Sequence, residues 1–143
     1  MISEITAICE YLEEMQPTPA LIGETPEDRA LTRMWTRKID LLIAEPMANG
    51  FRYAEGLAMF KDRMHCLPEA ADGLKAIAAG NLKWLDERIG DSPFIVGKRF
   101  SLADILLFCF LTFAARVGQP LDPGLSRLQA WQERVGARDS AAA

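Results

Sequence analysis

Gly97-Lys98-Arg99-Phe100-Ser101-Leu102-Ala103-Asp104 is the stretch that decides the fold. Its spacing predicts that the Ser101 hydroxyl accepts from the amide of Asp104 while the Asp104 carboxylate returns to the amide of Ser101. This is a reciprocal capping box, with Asp in place of the commoner Glu or Gln. Phe100 precedes the cap and is placed to pack on Ile105 as a hydrophobic staple. Caps of this kind stabilise a helix start by about 1 kcal/mol. The helix that follows is apolar nearly all round, through Leu102, Ile105, Leu106, Leu107, Phe108, Phe110, Leu111 and Phe113. A helix without a polar face belongs at the centre of a bundle. Unpaired amides at its buried start would be costly, so the cap matters more here than on a surface.

Outward from that start, helical spacing recurs and strand signals are scarce. Downstream, Gly118-Gln119-Pro120 ends the central helix. A last helix carries Leu125, Leu128, Trp131 and Val135 before an alanine-rich tail expected to fray. Upstream, a long helix opens at Pro68-Glu69 and runs through Leu74, Ile77, Ala78, Leu82, Leu85 and Ile89 to the stop at Gly90-Asp91-Ser92-Pro93. Gly73 and Gly80 weaken that helix by about 1 kcal/mol each and are read as places where neighbouring helices approach closely. Before it, Thr25 caps a helix with Pro26 at its first position and Glu27 and Asp28 in its first turn. Leu31, Met34, Trp35, Ile39, Leu42 and Ile43 form its stripe, and Pro46 should kink or end it. The first segment, Ile2 to Glu14, places Ile5, Ile8 and Leu12 on one stripe, with Ser3 or Glu4 as cap. The prolines of Gln16-Pro17-Thr18-Pro19 then break it into an extended linker.

Composition narrows the function classes. The chain has 143 residues, half of them apolar and a quarter charged, which is globular rather than disordered. Sixteen basic against twenty acidic side chains give a net charge of −4, opposing a broad basic face for nucleic acid or anionic membrane. The longest apolar run, Ile105 to Val117, is too short for a bilayer, which needs about 20 residues. No secretory signal opens the sequence. Cys9, Cys66 and Cys109 are odd in number and widely spaced, which points to free thiols in a reduced cytoplasm. A single histidine, His65 beside Cys66, cannot assemble a four-ligand zinc centre with such scattered cysteines.

The order of these signals resembles a known family. Gly-x-x-x-Ser-Leu-Ala-Asp opening an apolar helix, preceded by Leu82, Trp84 and Leu85 and by Phe94-Ile95-Val96-Gly97, is similar to the C-terminal all-helical domain of glutathione transferases. Residues 2–12 resemble the last helix of that family's thioredoxin-like N-terminal domain, and Pro17 and Pro19 fall where its interdomain linker runs. The stretch from Thr25 to Phe60, with Glu45-Pro46 and Asn49-Gly50-Phe51-Arg52, resembles bacterial members. The resemblance implies an all-α fold, a bundle around a central helix starting at Ser101. It also implies a division into a remnant helix (1–14), a linker (15–24) and a helical domain (25–143).

It implies a functional asymmetry too. In the family, glutathione sits mainly on the thioredoxin-like domain, whose Ser, Tyr or Cys activates the thiol and whose cis-proline loop aligns the tripeptide. No residue of this sequence corresponds to those parts. The Glu-Ser pair that receives the γ-glutamyl end matches Glu4, but Ile5 stands at the serine position and can offer only its backbone amide. The structural alternative for Glu4 is a helix cap that favours the dipole. The family's pocket for the electrophile is built partly from the helix after the linker, so Met34, Trp35, Lys38 and Phe51 are its candidates. Core packing for the apolar residues, with Lys38 on a solvated face, is the alternative. No histidine is placed to activate Ser101, and capping satisfies both Ser101 and Asp104 without chemistry.

Two functions follow as expectations. One is a glutathione-transferase-like polypeptide lacking most of the glutathione-binding domain and therefore inactive alone, with no cofactor beyond glutathione as co-substrate in complete relatives. The other is a non-catalytic interaction module, like free-standing domains of this type attached to translation factors and synthetases. Its homodimer or other multimer would form through apolar surface that a missing domain leaves open.

Overall fold

The computed structural model describes residues 1–141, so Ala142 and Ala143, the end of the alanine-rich tail, lie outside the described residues. Seven α-helices carry the architecture: α1 (Ile5–Met15), α2 (Pro26–Ile39), α3 (Glu45–Tyr53), α4 (Leu57–Phe60), α5 (Ala71–Ile89), α6 (Leu102–Arg116) and α7 (Ser126–Gly136). Among the described residues the only β pairing is two isolated bridges, Phe94 with Gly97 and Val96 with Arg99, in the turn before α6. The fold is all-α.

The core forms where α2, α3, α5 and α7 gather on α6. Ile39, Ile43 and Met47, four residues apart, meet Leu82 and Leu85 of α5 and Leu106, Leu107 and Leu111 of α6, with Leu128 and Trp131 of α7 closing the far side. Each fully buried large aliphatic contributes about 1.5–3 kcal/mol. Thr25 caps α2 as its sequence requires, accepting from the Asp28 amide at 3.1 Å, with Pro26 at the first position.

The helical path does not end at Pro46. A π-helical turn, Asp40–Ala44, precedes it and α3 continues beyond. Proline has no N–H to give the Leu42 carbonyl four residues back. Asn81 Nδ2 of α5 donates to that carbonyl instead, at 2.8 Å. Gln119 Nε2 similarly donates to the Met47 carbonyl at 3.1 Å.

The close helix approach is at a different glycine from those the sequence suggested. A Cβ at Gly50 would stand 2.7 Å from Lys75 Cγ, so Gly50 is what lets α3 lie against α5. A Cβ at Gly73 or Gly80 meets nothing within 4 Å. These two positions carry only the entropic cost of glycine in a helix. Gly73→Ala and Gly80→Ala are each expected to stabilise the fold by about 0.5–1 kcal/mol. Urea midpoints measure this, and a loss of stability in either variant would contradict the open surroundings. Ile77, on the expected apolar stripe, is half exposed instead.

Helix α1 is held by the face opposite to the one its pattern advertises. Ile5, Ile8, Leu12 and Met15 all lie exposed. Its polar face does the docking. Glu13 is buried, accepts from the Ile22 amide at 2.6 Å and pairs with Arg29 at 3.2 Å. Glu10 receives two bonds of 2.9 Å from Arg33, and this holds its carboxyl below the usual range. At Gly23 the backbone turns through φ +136°, where a Cβ would lie 2.6 Å from that of Asp28, so the linker joins α2 only through glycine.

Candidate functional site

The side chain that organises the domain is Asp104, with no exposed surface. Its Oδ2 accepts from the Ser101 amide and from the Ser101 hydroxyl, both at 2.9 Å. Its Oδ1 accepts from the Ile95 amide and the Trp131 indole, also at 2.9 Å. The capping box is closed, and the serine contributes as a donor to the carboxylate. The Asp104 amide lies 3.0 Å from the Ser101 carbonyl. One carboxylate thus joins the bridged turn, the start of α6 and the middle of α7. A buried carboxylate is tolerable only when its lone pairs are filled in this way. The Ser101 hydroxyl is engaged by this carboxylate, whose other lone pairs are already taken by the Ser101 and Ile95 amides and the Trp131 indole.

Two further clasps converge on the same end. Arg99 donates to Thr32 Oγ1 at 2.6 Å, and to the carbonyls of Asp28, Ile22 and Leu21 at 3.3–3.4 Å. It ties the linker and α2 to the turn before α6. Asp86 of α5 accepts from the Leu128 amide at 2.8 Å, satisfying one of the free amides at the start of α7 from a different helix. Nothing in the spacing of Arg99 distinguished it from a surface arginine. Asp86 and Glu13 left a fainter sign, each an acid placed beside an apolar stripe.

Helix α6 is central but not enclosed. Ile105, Phe108, Thr112 and Phe113 are half-buried and Cys109 is exposed, because two clefts open along one side of the helix. One, of about 420 Å³, is lined by Ala48, Phe51, Phe60, Cys109 and Phe113. Phe51 stands edge-on to Phe113 at 5.2 Å and to Phe60 at 6.2 Å. The other, of about 440 Å³, lies between α6 and the end of α7. Phe100 and Ile105 both line it. Phe100 itself stacks edge-on with Phe94 at 5.6 Å.

The residues singled out by sequence divide into three places. Phe51 lines the aromatic cleft. Trp35 and Lys38 lie together on another face, where the Trp35 ring is 6.0 Å from Trp84 and the Lys38 ammonium sits 5.1 and 5.8 Å from the two ring centres. Met34 is exposed. The four do not form one pocket. Glu4 precedes α1 with φ 70° and makes no side-chain capping bond, and Ile5 follows it on open surface. Burial raises the Cys9 thiol, which lowers its thiolate fraction. Among the described residues no three His, Cys, Asp or Glu side chains cluster as a metal site would require.

Residues 68–134 match the family model described as glutathione S-transferase, C-terminal domain. This stretch holds α5, α6 and all but the last two residues of α7, and the whole Asp104 assembly with them. Residues 68–134 carry the match to a glutathione S-transferase C-terminal domain. The chain is 28% identical over 140 residues to glutathione S-transferase 2 of Saccharomyces cerevisiae, covering 98% of this chain and 60% of that relative. The chain therefore spans about three fifths of that relative's length. The crystal structure of Gtt2 from Saccharomyces cerevisiae superposes with a TM-score of 0.87 at 27% identity, over 99% of this chain and 68% of that one. A glutathione S-transferase domain-containing protein of Marinobacter aquaeolei gives 0.86 at 28% identity, over 98% and 68%. The superpositions extend through α1 and the linker, beyond the segment that the family model matches. No described helix is long and apolar enough to cross a membrane.

Proposed function

We propose that residues 1–143 supply the helical half of a glutathione S-transferase, the half that shapes the pocket for the electrophile, and that by themselves they catalyse little or no conjugation. The observation that carries this reading is the division of the polar groups. The buried carboxylates of Asp104, Asp86 and Glu13, with the partly buried Arg99, are engaged in holding helices together. The clefts beside α6 are walled mainly by aromatic and aliphatic side chains. Thiol conjugation needs an activating group at the sulfur, and no carboxylate, histidine or tyrosine lines either cleft beside α6. Of the electrophile-pocket candidates, Phe51 fits best, since an apolar cleft with few polar groups suits an aryl electrophile. Glu4 and the Ile5 amide would meet the γ-glutamyl end of glutathione as a co-substrate. Standing alone on open surface, they bind it weakly at most.

The test is conjugation of glutathione to a chloronitrobenzene by the purified chain. The rate should equal the uncatalysed background. Turnover well above it would refute the inactive reading.

The exposed stripe Ile5, Ile8, Leu12 and Met15 favours a second reading, an assembly module. A contiguous apolar face of this kind marks a surface that is covered in use. We propose that in isolation it meets a second copy of the chain. Light scattering at micromolar concentration should give a dimer or larger species. A clean monomer would count against it.

A further inference from the structure

The cleft between α6 and the end of α7 differs in charge from the rest of the molecule. The chain carries a net charge of −4, yet two arginines, Arg116 and Arg138, line this cleft and no carboxylate does. Among the described residues neither arginine has an ion-pair partner. Arg116 ends α6, where the helix dipole favours a cation. The Arg138 guanidinium lies 3.8 Å from the Phe100 ring centre. Stacking of this kind uses the face of the guanidinium and leaves its in-plane N–H donors pointing outward. Between the two cations the wall is aromatic and aliphatic, with Phe100, Phe108, Phe113 and Val135. Its volume of about 440 Å³ is within the range of small-molecule sites.

We infer that this cleft is a binding site for an aromatic carboxylate, a flat apolar acid whose rings lie among the phenylalanines and whose carboxylate takes Arg116 or Arg138, or both. The charge of the site selects an anion. A guanidinium matches a carboxylate with two parallel donors, which a neutral alcohol cannot accept. The aromatic walls select rings over a flexible chain, because edge and offset contacts add to area burial. The site uses neither Glu4 nor Ile5 and stands or falls independently of conjugation chemistry.

The test uses 2-naphthoate as probe and 2-naphthalenemethanol as its neutral counterpart, titrated calorimetrically into the full chain, with Arg116→Gln, Arg138→Gln and the cavity-filling Thr112→Trp. One-site binding of the acid is expected. The alcohol should bind about tenfold more weakly, since one charge-assisted contact is worth about 1.4 kcal/mol or more. Each glutamine variant should lose about fivefold, less than a buried pair would, because both arginines are solvent-exposed. Thr112→Trp should abolish binding while keeping the helical circular dichroism of the parent. If Thr112→Trp does not fold, the glutamine variants, which alter only exposed side chains, decide the matter. Absence of binding to the parent, equal affinity for acid and alcohol, or glutamine variants that bind like the parent would each overturn the assignment.

Discussion

Asp104→Ala is expected to destabilise the domain by about 3–5 kcal/mol, near the upper end for a single substitution. The side chain is short, so the cavity is the smaller part of the loss. The larger part is that four donors, the amides of Ser101 and Ile95, the Ser101 hydroxyl and the Trp131 indole, lose their acceptor inside the core. A buried donor without a partner costs about 1–3 kcal/mol. The four do not add fully, because the turn before α6 can relax toward water. For a domain whose whole stability is about 5–15 kcal/mol, the loss removes a large share. Asp104→Asn keeps the shape but turns an NH2 group toward donors, so it should fall between the parent and the alanine variant. Trp131→Phe removes one donor and leaves the other three bonds in place, so its loss should be the smallest of the three. Urea unfolding followed by circular dichroism gives the order, and an Asp104→Ala variant within 1 kcal/mol of the parent would be incompatible with the bonding described.

Arg99→Met should cost about 1–3 kcal/mol. The thioether side chain retains the apolar stem while removing donors to four acceptors, three of them backbone carbonyls of the linker and the α2 start. The arginine is only partly buried, so water replaces some of these bonds. The effect on the linker should exceed the effect on global stability. Residues 16–24 should become cleavable by a nonspecific protease at concentrations that leave the parent intact. Arg99→Lys should rescue little, because a single ammonium cannot span acceptors that a planar fork reaches together. Unchanged cleavage in Arg99→Met would mean that Glu13, through Ile22 and Arg29, holds the linker alone.

What the sequence disclosed, and what it withheld, follows from the range of each interaction. The Ser101–Asp104 box, the Thr25 cap with Pro26, and the α7 stripe of Leu128, Trp131 and Val135 are local patterns, and local patterns are legible. The second half of Asp104's bonding, to Ile95 and Trp131, joins residues 9 and 27 positions away, and nothing in their spacing announced it. The apolar stripe of α1 was legible as a stripe, and the structure leaves it exposed. Its true attachments are two glutamates whose partners lie on α2 and in the linker. Gly73 and Gly80 misled because a glycine inside a helix signals close approach only when a neighbour is there, and the neighbour is at Gly50. The candidate pocket residues lie apart because they sit on different stretches of helix. Trp35 and Lys38, three residues apart, meet at Trp84 and Met34 lies exposed, whereas Phe51, past a π-helical turn, stands against Phe113 of α6.

Native-state hydrogen exchange at the Trp131 indole is the most direct measurement of whether one buried carboxylate organises this domain. The indole proton, together with the Ser101 and Ile95 amides, should exchange only as slowly as global unfolding allows. Amides of α1 should exchange orders of magnitude faster. An indole proton that exchanges in the folded state at the rate of α1, or faster, would show that Asp104 does not hold it.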